Sequence, residues 1–102
     1  MISLNTTFHV DEDIHLRFLE YMIQTYIANA KNDDQILNIR FFKVHSNRIE
    51  EGHSYSVQLS FNTLDELENW DQTKGRKLNE DLVKSFDDKI AGFSTLLEEI
   101  KF

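Results

Sequence analysis

The fold is decided by two stretches of the sequence, ILNIRFFKVH (residues 36–45) and HSYSVQLSF (residues 53–61). Both have the length and the β-branched and aromatic content of strands, and the residues between them form a turn. Pairing His45 with His53 predicts an antiparallel register that gathers apolar side chains on one face and mainly polar ones on the other. The apolar face is made by three opposed pairs: Leu37 with Phe61, Ile39 with Leu59, and Phe41 with Val57.

Towards the N-terminus, residues 2–10 alternate between apolar and polar side chains, which predicts a half-buried strand. Asp11 is a candidate N-cap for a helix that continues to about Ala30. The apolar residues of this helix cover an arc wider than the ~100° stripe that packs against one sheet. We therefore expect the helix to contact a further element, either the second helical region or a partner chain.

Towards the C-terminus, Thr63 and Glu66 form a capping box that opens a second helical region. We expect Gly75 to interrupt this region before it continues through Phe86. Residues 89–100 then form a last strand.

The order of these elements, β-α-β-β-α-β, is that of the ferredoxin-like α+β fold. We predict one domain over residues 1–102, with a four-stranded antiparallel sheet and both helical regions on one of its faces. The apolar fraction of 40% and the charged fraction of 28% are those of an ordinary globular chain.

Composition excludes several classes of function. The net charge is −7 and the acidic residues are concentrated in the second half, so nucleic acid is not an expected partner. No apolar run approaches the ~20 residues that span a bilayer, so no membrane association is expected. The chain has no cysteine, which excludes thiolate chemistry and cysteine-ligated zinc. With no secretory signal recognisable in the sequence, we expect a cytosolic protein.

The sheet face away from the helices is poor in charge and rich in small polar residues. Faces that are simply solvated usually carry many lysines and glutamates, so we predict that a second copy of the chain covers this one. The alternatives are an open face rich in Ser and Thr, or an RNA-binding face, which the acidic charge disfavours. The dimer-face candidates are Asn5, Thr7, His9, Arg40, Phe42, Val44, Ser56 and Gln58.

Four residues are candidates for a ligand pocket between helices and sheet. His15 lies at the centre of the apolar arc of the first helix, where an imidazole is either a ligand contact or acid/base group or a buried ring satisfied by the fold. Tyr26, Tyr55 and Trp70 are aromatic groups with a polar handle, which line ligand cavities or pack in cores.

Two histidine patterns suggest a metal, and neither supplies a complete set of ligands. His45 and His53 face each other at the hairpin mouth near Glu50 and Glu51, but lack fixed third and fourth ligands. The string that runs from His9 through Asp11 and Asp13 to His15 is divided by a strand-to-helix change. We therefore predict no metal and no cofactor, and no nucleophile or phosphate-binding motif occurs either.

The chain resembles an uncharacterised bacterial family of about one hundred residues that is named only as a domain of unknown function. The segments that carry the resemblance are residues 8–11, 14–22, 55–59 and 86–98. The resemblance implies a ferredoxin-like fold of the dimeric α/β-barrel type, in which two sheets pack by the face away from their helices. It implies no particular activity.

Three functions remain open at this point. The first is a homodimeric module that binds a small, largely apolar molecule or acts in regulation. The second is a cofactor-independent enzyme of the monooxygenase or isomerase kind, with His15 as the acid/base, by analogy of fold alone. The third is a structural interaction subunit.

Overall fold

The computed structural model describes residues 1–45 and 52–102, which form a single antiparallel sheet with helices on one face. The sheet has the strand order β2-β3-β1-β4. The strands are β1 (Ile2–Val10), β2 (Asn38–Val44), β3 (His53–Phe61) and β4 (Ile90–Glu98). The predicted ferredoxin-like topology is therefore confirmed, while most of the predicted turn at residues 46–52 lies outside the described residues.

The predicted register of the central hairpin is also confirmed. Ile39 pairs with Leu59 and Phe41 pairs with Val57. β3 continues the same alternation into β1, where Leu4 also pairs with Leu59. Because side chains in a strand alternate between faces, these pairings assign every strand residue to the helix side or to the opposite side.

The helical regions carry more breaks than the sequence predicted. A 3₁₀ turn (Glu12–Ile14) leads into α1 (His15–Tyr21), a π-helical turn (Met22–Tyr26) and α2 (Ile27–Ala30). The second region consists of α3 (Leu64–Gln72), α4 (Lys74–Phe86) and a 3₁₀ turn (Asp87–Lys89). The Thr63 half of the predicted capping box is formed: the Thr63 hydroxyl accepts a hydrogen bond from the Glu66 backbone N–H at 3.2 Å.

The predicted break at Gly75 was wrong, because the break lies two residues earlier at Thr73, between the end of α3 at Gln72 and the start of α4 at Lys74. Thr73 has a non-helical backbone, with φ −116° and ψ −96°, and its hydroxyl donates to the Asn69 carbonyl oxygen at 2.6 Å. Gly75 lies inside α4, where its missing side chain leaves room for the indole ring of Trp70. The glycine is therefore required by packing and not by a turn.

One apolar core lies between the helices and the sheet. The first helix has a wide apolar arc in part because it also packs against α4. The rings of Phe18 and Tyr21 meet the ring of Phe86 edge-on, with ring centroids 5.8 and 5.5 Å apart. The buried core side chains come from the two central strands, β1 and β3, and from both helical regions. They are Leu4, Phe8, Val10, Ile14, Phe18, Met22, Tyr26, Tyr55, Val57, Leu59, Phe61, Leu67, Trp70, Leu82 and Phe86. Among the described residues, no helix is both long enough and apolar enough to cross a bilayer.

The close approach of Gly75 to Trp70 makes a testable prediction. A Cβ at position 75 would lie 2.5 Å from Cζ3 of Trp70, whose side chain is only 2% exposed and has little room to move. Overpacking of this kind costs about 3 kcal/mol at the upper end of its range. That exceeds the ~1 kcal/mol that alanine gains over glycine in a helix. Gly75→Ala should therefore lower the free energy of unfolding by about 2 kcal/mol in urea titrations followed by circular dichroism.

The control for this measurement is Glu80→Ala in the same helix, at an exposed position where only a surface ion pair to Arg76 is lost. We expect Glu80→Ala to change stability by less than about 0.5 kcal/mol at the same protein concentration. A Gly75→Ala protein that is as stable as the unchanged chain would contradict the packing account.

Candidate functional site

A cleft of about 390 Å³ lies between the second helical region and the strands β1 and β4. Its volume is within the range of small-molecule sites, roughly 300–1,000 Å³. Strand residues form its floor, and α3, α4 and the π-helical turn form its walls. The lining residues are Leu4, Thr6, Tyr26, Trp70, Asp71, Gln72, Gly75, Arg76, Asn79 and Ser94. Apolar and polar groups are thus both available to an occupant.

Tyr26 is the most deeply buried titratable group that lines this cleft. It ends the π-helical turn, a rare distortion that widens one turn of a helix and is frequent at functional sites. Burial, with a smaller contribution from the negative charge of Asp71, raises the pKa of Tyr26 to about 12. The phenol therefore stays protonated at any physiological pH and can donate a hydrogen bond to an occupant.

The floor of the cleft carries a pair of hydroxyl groups that joins two strands. Thr6 Oγ1 and Ser94 Oγ lie 2.9 Å apart, across the pairing of β1 with β4. Asn79 and Arg76 approach from α4, and Arg76 also forms an exposed ion pair with Glu80 at 3.4 Å. These polar groups line the cleft together with the apolar side chains of Leu4 and Trp70.

A second cleft of about 360 Å³ lies on the other side of Trp70 and is polar at its rim. Lys74 reaches Asp33 at 3.4 Å, and Lys77 reaches Asp81 at 3.0 Å. The hydrogen bond and charge of Asp81 raise the pKa of the exposed Lys77 ammonium. Because its charged groups are already paired with one another, this cleft is a weaker candidate than the first.

The four predicted pocket residues fall into two separate pairs. Tyr26 and Trp70 share the first cleft. Tyr55 is buried between the rings of Phe18 and Phe41, each at 5.9 Å, and burial, together with the charge of Glu12, raises its pKa. His15 lines neither cleft, and its ring and that of Tyr55 both lie beside the ring of His53. Their assignment to one ligand site stays a prediction.

His15 belongs to a small cluster with two residues that the sequence did not associate with it. Its ring stacks on that of His53, with centroids 3.8 Å apart and planes at 15°. Nε2 of His53 lies 2.5 Å from a carboxylate oxygen of Glu12. His45, which the sequence pairs with His53, is exposed at the end of the hairpin, and the predicted neighbours Glu50 and Glu51 lie outside the described residues.

The predicted dimer-face residues all lie on the side of the sheet away from the helices. Hydroxyl pairs join its two central strands: Ser3 with Ser60 and Thr7 with Ser56, both at 2.9 Å. His9 Nδ1 contacts the Ser54 hydroxyl at 3.3 Å. The edge strand β2 adds Arg40, whose guanidinium lies 5.0 Å from the centre of the Phe42 ring. That the face binds a second copy stays a prediction.

Two large apolar residues of this face were missed by sequence reasoning. Phe93 and Leu97 of β4 pair with Thr7 and Ser3, so they share the face of those residues. They are 66% and 42% exposed in the isolated chain. The signal was the period of two in residues 90–98, which assigns faces only once the register of β4 against β1 is known.

Comparison with known proteins identifies a family and a fold. A family model described as "Domain of unknown function (DUF4286)" matches residues 1–100. No protein of curated function shows significant sequence similarity to the chain.

Three solved structures illustrate the likeness of fold. A protein of the EthD (ethyl tert-butyl ether d) family from Bacillus halodurans C-125 has a TM-score of 0.75 at 13% identity, covering 98% of this chain and 100% of its own. HapK from Hahella chejuensis has a TM-score of 0.72 at 11% identity, covering 98% and 93%. A variant of SnoaB, a cofactor-independent oxygenase from Streptomyces nogalater, has a TM-score of 0.71 at 12% identity, covering 99% and 94%. The chain therefore shares the ferredoxin-like α+β fold of these proteins.

The raised pKa of Tyr26 predicts how stability depends on pH. In the unfolded chain a tyrosine loses its proton near pH 10, whereas folded Tyr26 retains it to about pH 12. Between these values the folded state binds more protons, so stability falls as the pH rises. Tyr26 alone should remove about 1.3 kcal/mol between pH 9 and pH 11. Urea unfolding at both values should show this loss in the unchanged chain relative to Tyr26→Phe.

The comparison of the two proteins isolates one group, because every other titrating side chain is common to both. Tyr55→Phe provides a second comparison, since the pKa of Tyr55 is raised as well. If the unchanged chain and Tyr26→Phe lost equal stability between the two pH values, the claim that burial raises the pKa of Tyr26 would be wrong.

Proposed function

Since this chain belongs to the DUF4286 family, whose function is unknown, we propose from its own geometry that it is a cytosolic homodimer that binds a small amphipathic molecule. The observation that carries the proposal is the cleft of about 390 Å³ beside Tyr26 and Trp70. The dimer rests on a separate observation, the exposure of β4.

β4 is exposed along almost its whole length, although it carries large apolar side chains. Of its nine residues, Ile90 alone is half-buried and all the others are exposed. Leu96 is directed to the helix side, while Phe93 and Leu97 are directed to the other. An edge strand of this length and composition favours a partner, because exposed apolar edge strands otherwise lead to aggregation.

The chemistry of the open face favours a second copy of the same chain. The chain has a net charge of −7, yet no strand residue directed to this face is an aspartate or glutamate. Two copies therefore meet here without the repulsion that opposes contact elsewhere on their surfaces. The hydroxyl pairs between β1 and β3 satisfy one another, which lowers the cost of removing them from water.

The area of the face is sufficient for a dimer when the surface of its protruding side chains is added to the flat area of the sheet. Three strands of nine residues and one of seven, spaced about 4.8 Å apart with about 3.4 Å per residue, give a flat area of about 550 Å². Protruding side chains such as Phe42 and Phe93 raise the accessible area towards the ~800 Å² per partner of a standard interface. Apolar residues on both edge strands and small polar residues between them allow two such sheets to pack closely.

The lining of the cleft indicates the kind of molecule it binds. Leu4, Trp70 and Tyr26 offer apolar surface, so part of the occupant is apolar. The paired hydroxyls of Thr6 and Ser94 and the amide of Asn79 offer hydrogen bonds to the rest of it. The proposed occupant is thus more polar than the largely apolar molecule expected from sequence.

Oxygenases such as SnoaB share the fold, so enzymatic turnover is an outcome to be tested on any bound molecule. His15, the acid/base group expected under the enzyme hypothesis, does not line this cleft. Within the cleft, the Tyr26 phenol is held in its neutral form and Asp71 supplies a carboxylate. Binding is the function that the geometry supports directly.

The dimer is tested by placing a charge in the middle of the proposed interface. Phe93→Asp puts one carboxylate from each copy into the apolar contact, which should shift the sedimentation coefficient at micromolar concentration from that of a dimer to that of a monomer. Leu16→Asp is the matched control, because Leu16 is 71% exposed on α1, away from this face. A monomeric unchanged chain, or a dimer that Phe93→Asp leaves intact, would refute the interface.

Ligand binding is tested with a metabolite library and thermal shift. A true ligand at about 100 times its dissociation constant should stabilise the fold by about 2.7 kcal/mol. Thr6→Val and Asn79→Ala should each weaken its binding at least tenfold in calorimetry, because each removes a hydrogen-bonding group of the cleft. Asn69→Ala is the matched control, since Asn69 is exposed on α3 and does not line the cleft. Hits that bind the cleft variants and the unchanged chain equally would contradict the proposal.

A further inference from the structure

We propose that Glu12, His15 and His53 form a binding site for a divalent transition-metal ion, with Zn²⁺ as the ion that best suits its donors. Each residue offers one ligand atom, and these atoms all lie within 4.8 Å of one another. The site is distinct from the proposed ligand cleft, because Tyr26 follows His15 by eleven residues, about 16 Å along a helix.

Three different elements bring the donors together. Glu12 belongs to the 3₁₀ turn that precedes the first helix, and His15 begins α1 one turn later. His53 begins β3 and pairs with Val10, the last residue of β1. The metal would therefore connect the start of the first helix to the end of the sheet.

The kind of donor selects the class of metal. Two imidazole nitrogens and one carboxylate oxygen are typical ligands of Zn²⁺ and of other divalent first-row ions. Ca²⁺ and Mg²⁺ prefer sites made only of oxygen atoms. With three protein ligands, one or more positions on the ion are left for water or a further ligand.

One of the imidazoles has a nitrogen that the fold does not use. Nδ1 of His15 is buried and has no hydrogen-bond partner among the described residues. Such a group is costly unless something pairs with it. Coordination through Nδ1 would give this atom a partner that no protein group among the described residues supplies.

The surrounding charges leave Glu12 available for the ion. The other two carboxylates of this turn, Asp11 and Asp13, lie 3.8 and 3.3 Å from the ammonium group of Lys89. Glu12 instead contacts His53, and its side chain is 72% exposed, so it is free to follow a bound ion. Its negative charge offsets the positive end of the helix, which would otherwise repel a cation.

Binding requires a small rearrangement of the rings. Zn–N bonds are about 2.0–2.1 Å, so ligand atoms in a tetrahedral site lie about 3.4 Å apart. The two rings now stack in parallel planes, so one of them must rotate to direct its lone pair to the same ion as the other. Both half-buried rings must also be neutral, so protons compete with the metal and binding weakens at acidic pH.

The test is calorimetric titration of ZnCl₂ into the full chain, without an affinity tag and after removal of metals with a chelator. We expect one Zn²⁺ per chain at pH 7.5 and weaker binding at pH 5.5. His15→Ala and His53→Ala should each weaken binding at least tenfold. Glu12→Gln should also weaken it, and because Glu12 is largely exposed this variant tests the site without disturbing the core.

The other two histidines of the chain are the matched controls. His9→Ala and His45→Ala should bind Zn²⁺ like the unchanged protein, and the visible spectrum of bound Co²⁺ should lose its bands only in variants of the cluster. Failure to bind at 100 µM Zn²⁺, or binding that survives the loss of both His15 and His53, would overturn the proposal. So would a loss of binding in His45→Ala with the cluster variants unaffected.

Discussion

A four-stranded sheet has two faces, and this chain has helices enough to cover one of them. The alternation of β1 and β3 sends the large apolar side chains to the helix side, where residues such as Val57 and Phe61 are fully buried. The same alternation sends Ser56 and Ser60 to the other side, where each pairs with a hydroxyl of β1. The face that the helices leave open is thus determined by the same register that builds the core, and a slip of one residue would exchange the two.

The effect of leaving one sheet face uncovered is clearest in the two edge strands. β2 and β4 contribute little to the core, and their exposed side chains include Phe42, Val44, Phe93 and Leu97. In a monomer these side chains would be exposed to water. A sheet-on-sheet dimer would remove them from water, together with the paired hydroxyls of β1 and β3 that lie between them. The absence of acidic strand residues on this face of an acidic protein then has a physical reason.

Sequence reasoning succeeded where a single period of two or a short local motif decides the structure. The register of β2 with β3 and the Thr63 cap both follow from such patterns. It failed where an interaction between distant residues decides. Gly75, which the sequence suggested as a helix break, is instead a packing position inside α4, because the ring of Trp70 occupies the space where its side chain would lie. The cluster of Glu12 with His53 joins residues 41 positions apart, and it is visible only once Val10 is paired with His53. The π-helical turn at Tyr26 has no sequence signal that we recognise.

β4 connects the two parts of the proposed function. Ser94 lies in the floor of the cleft, hydrogen-bonded to Thr6, while the neighbouring Phe93 projects from the opposite face into the proposed dimer interface. Because adjacent residues of a strand point to opposite faces, a partner that holds Phe93 also holds the backbone that positions Ser94. In the isolated chain β4 pairs with β1 alone, so its outer edge has no hydrogen-bonded neighbour among the described strands. Dimerisation would therefore order part of the floor of the ligand site, and ligand affinity should depend on an interface that the ligand itself does not touch.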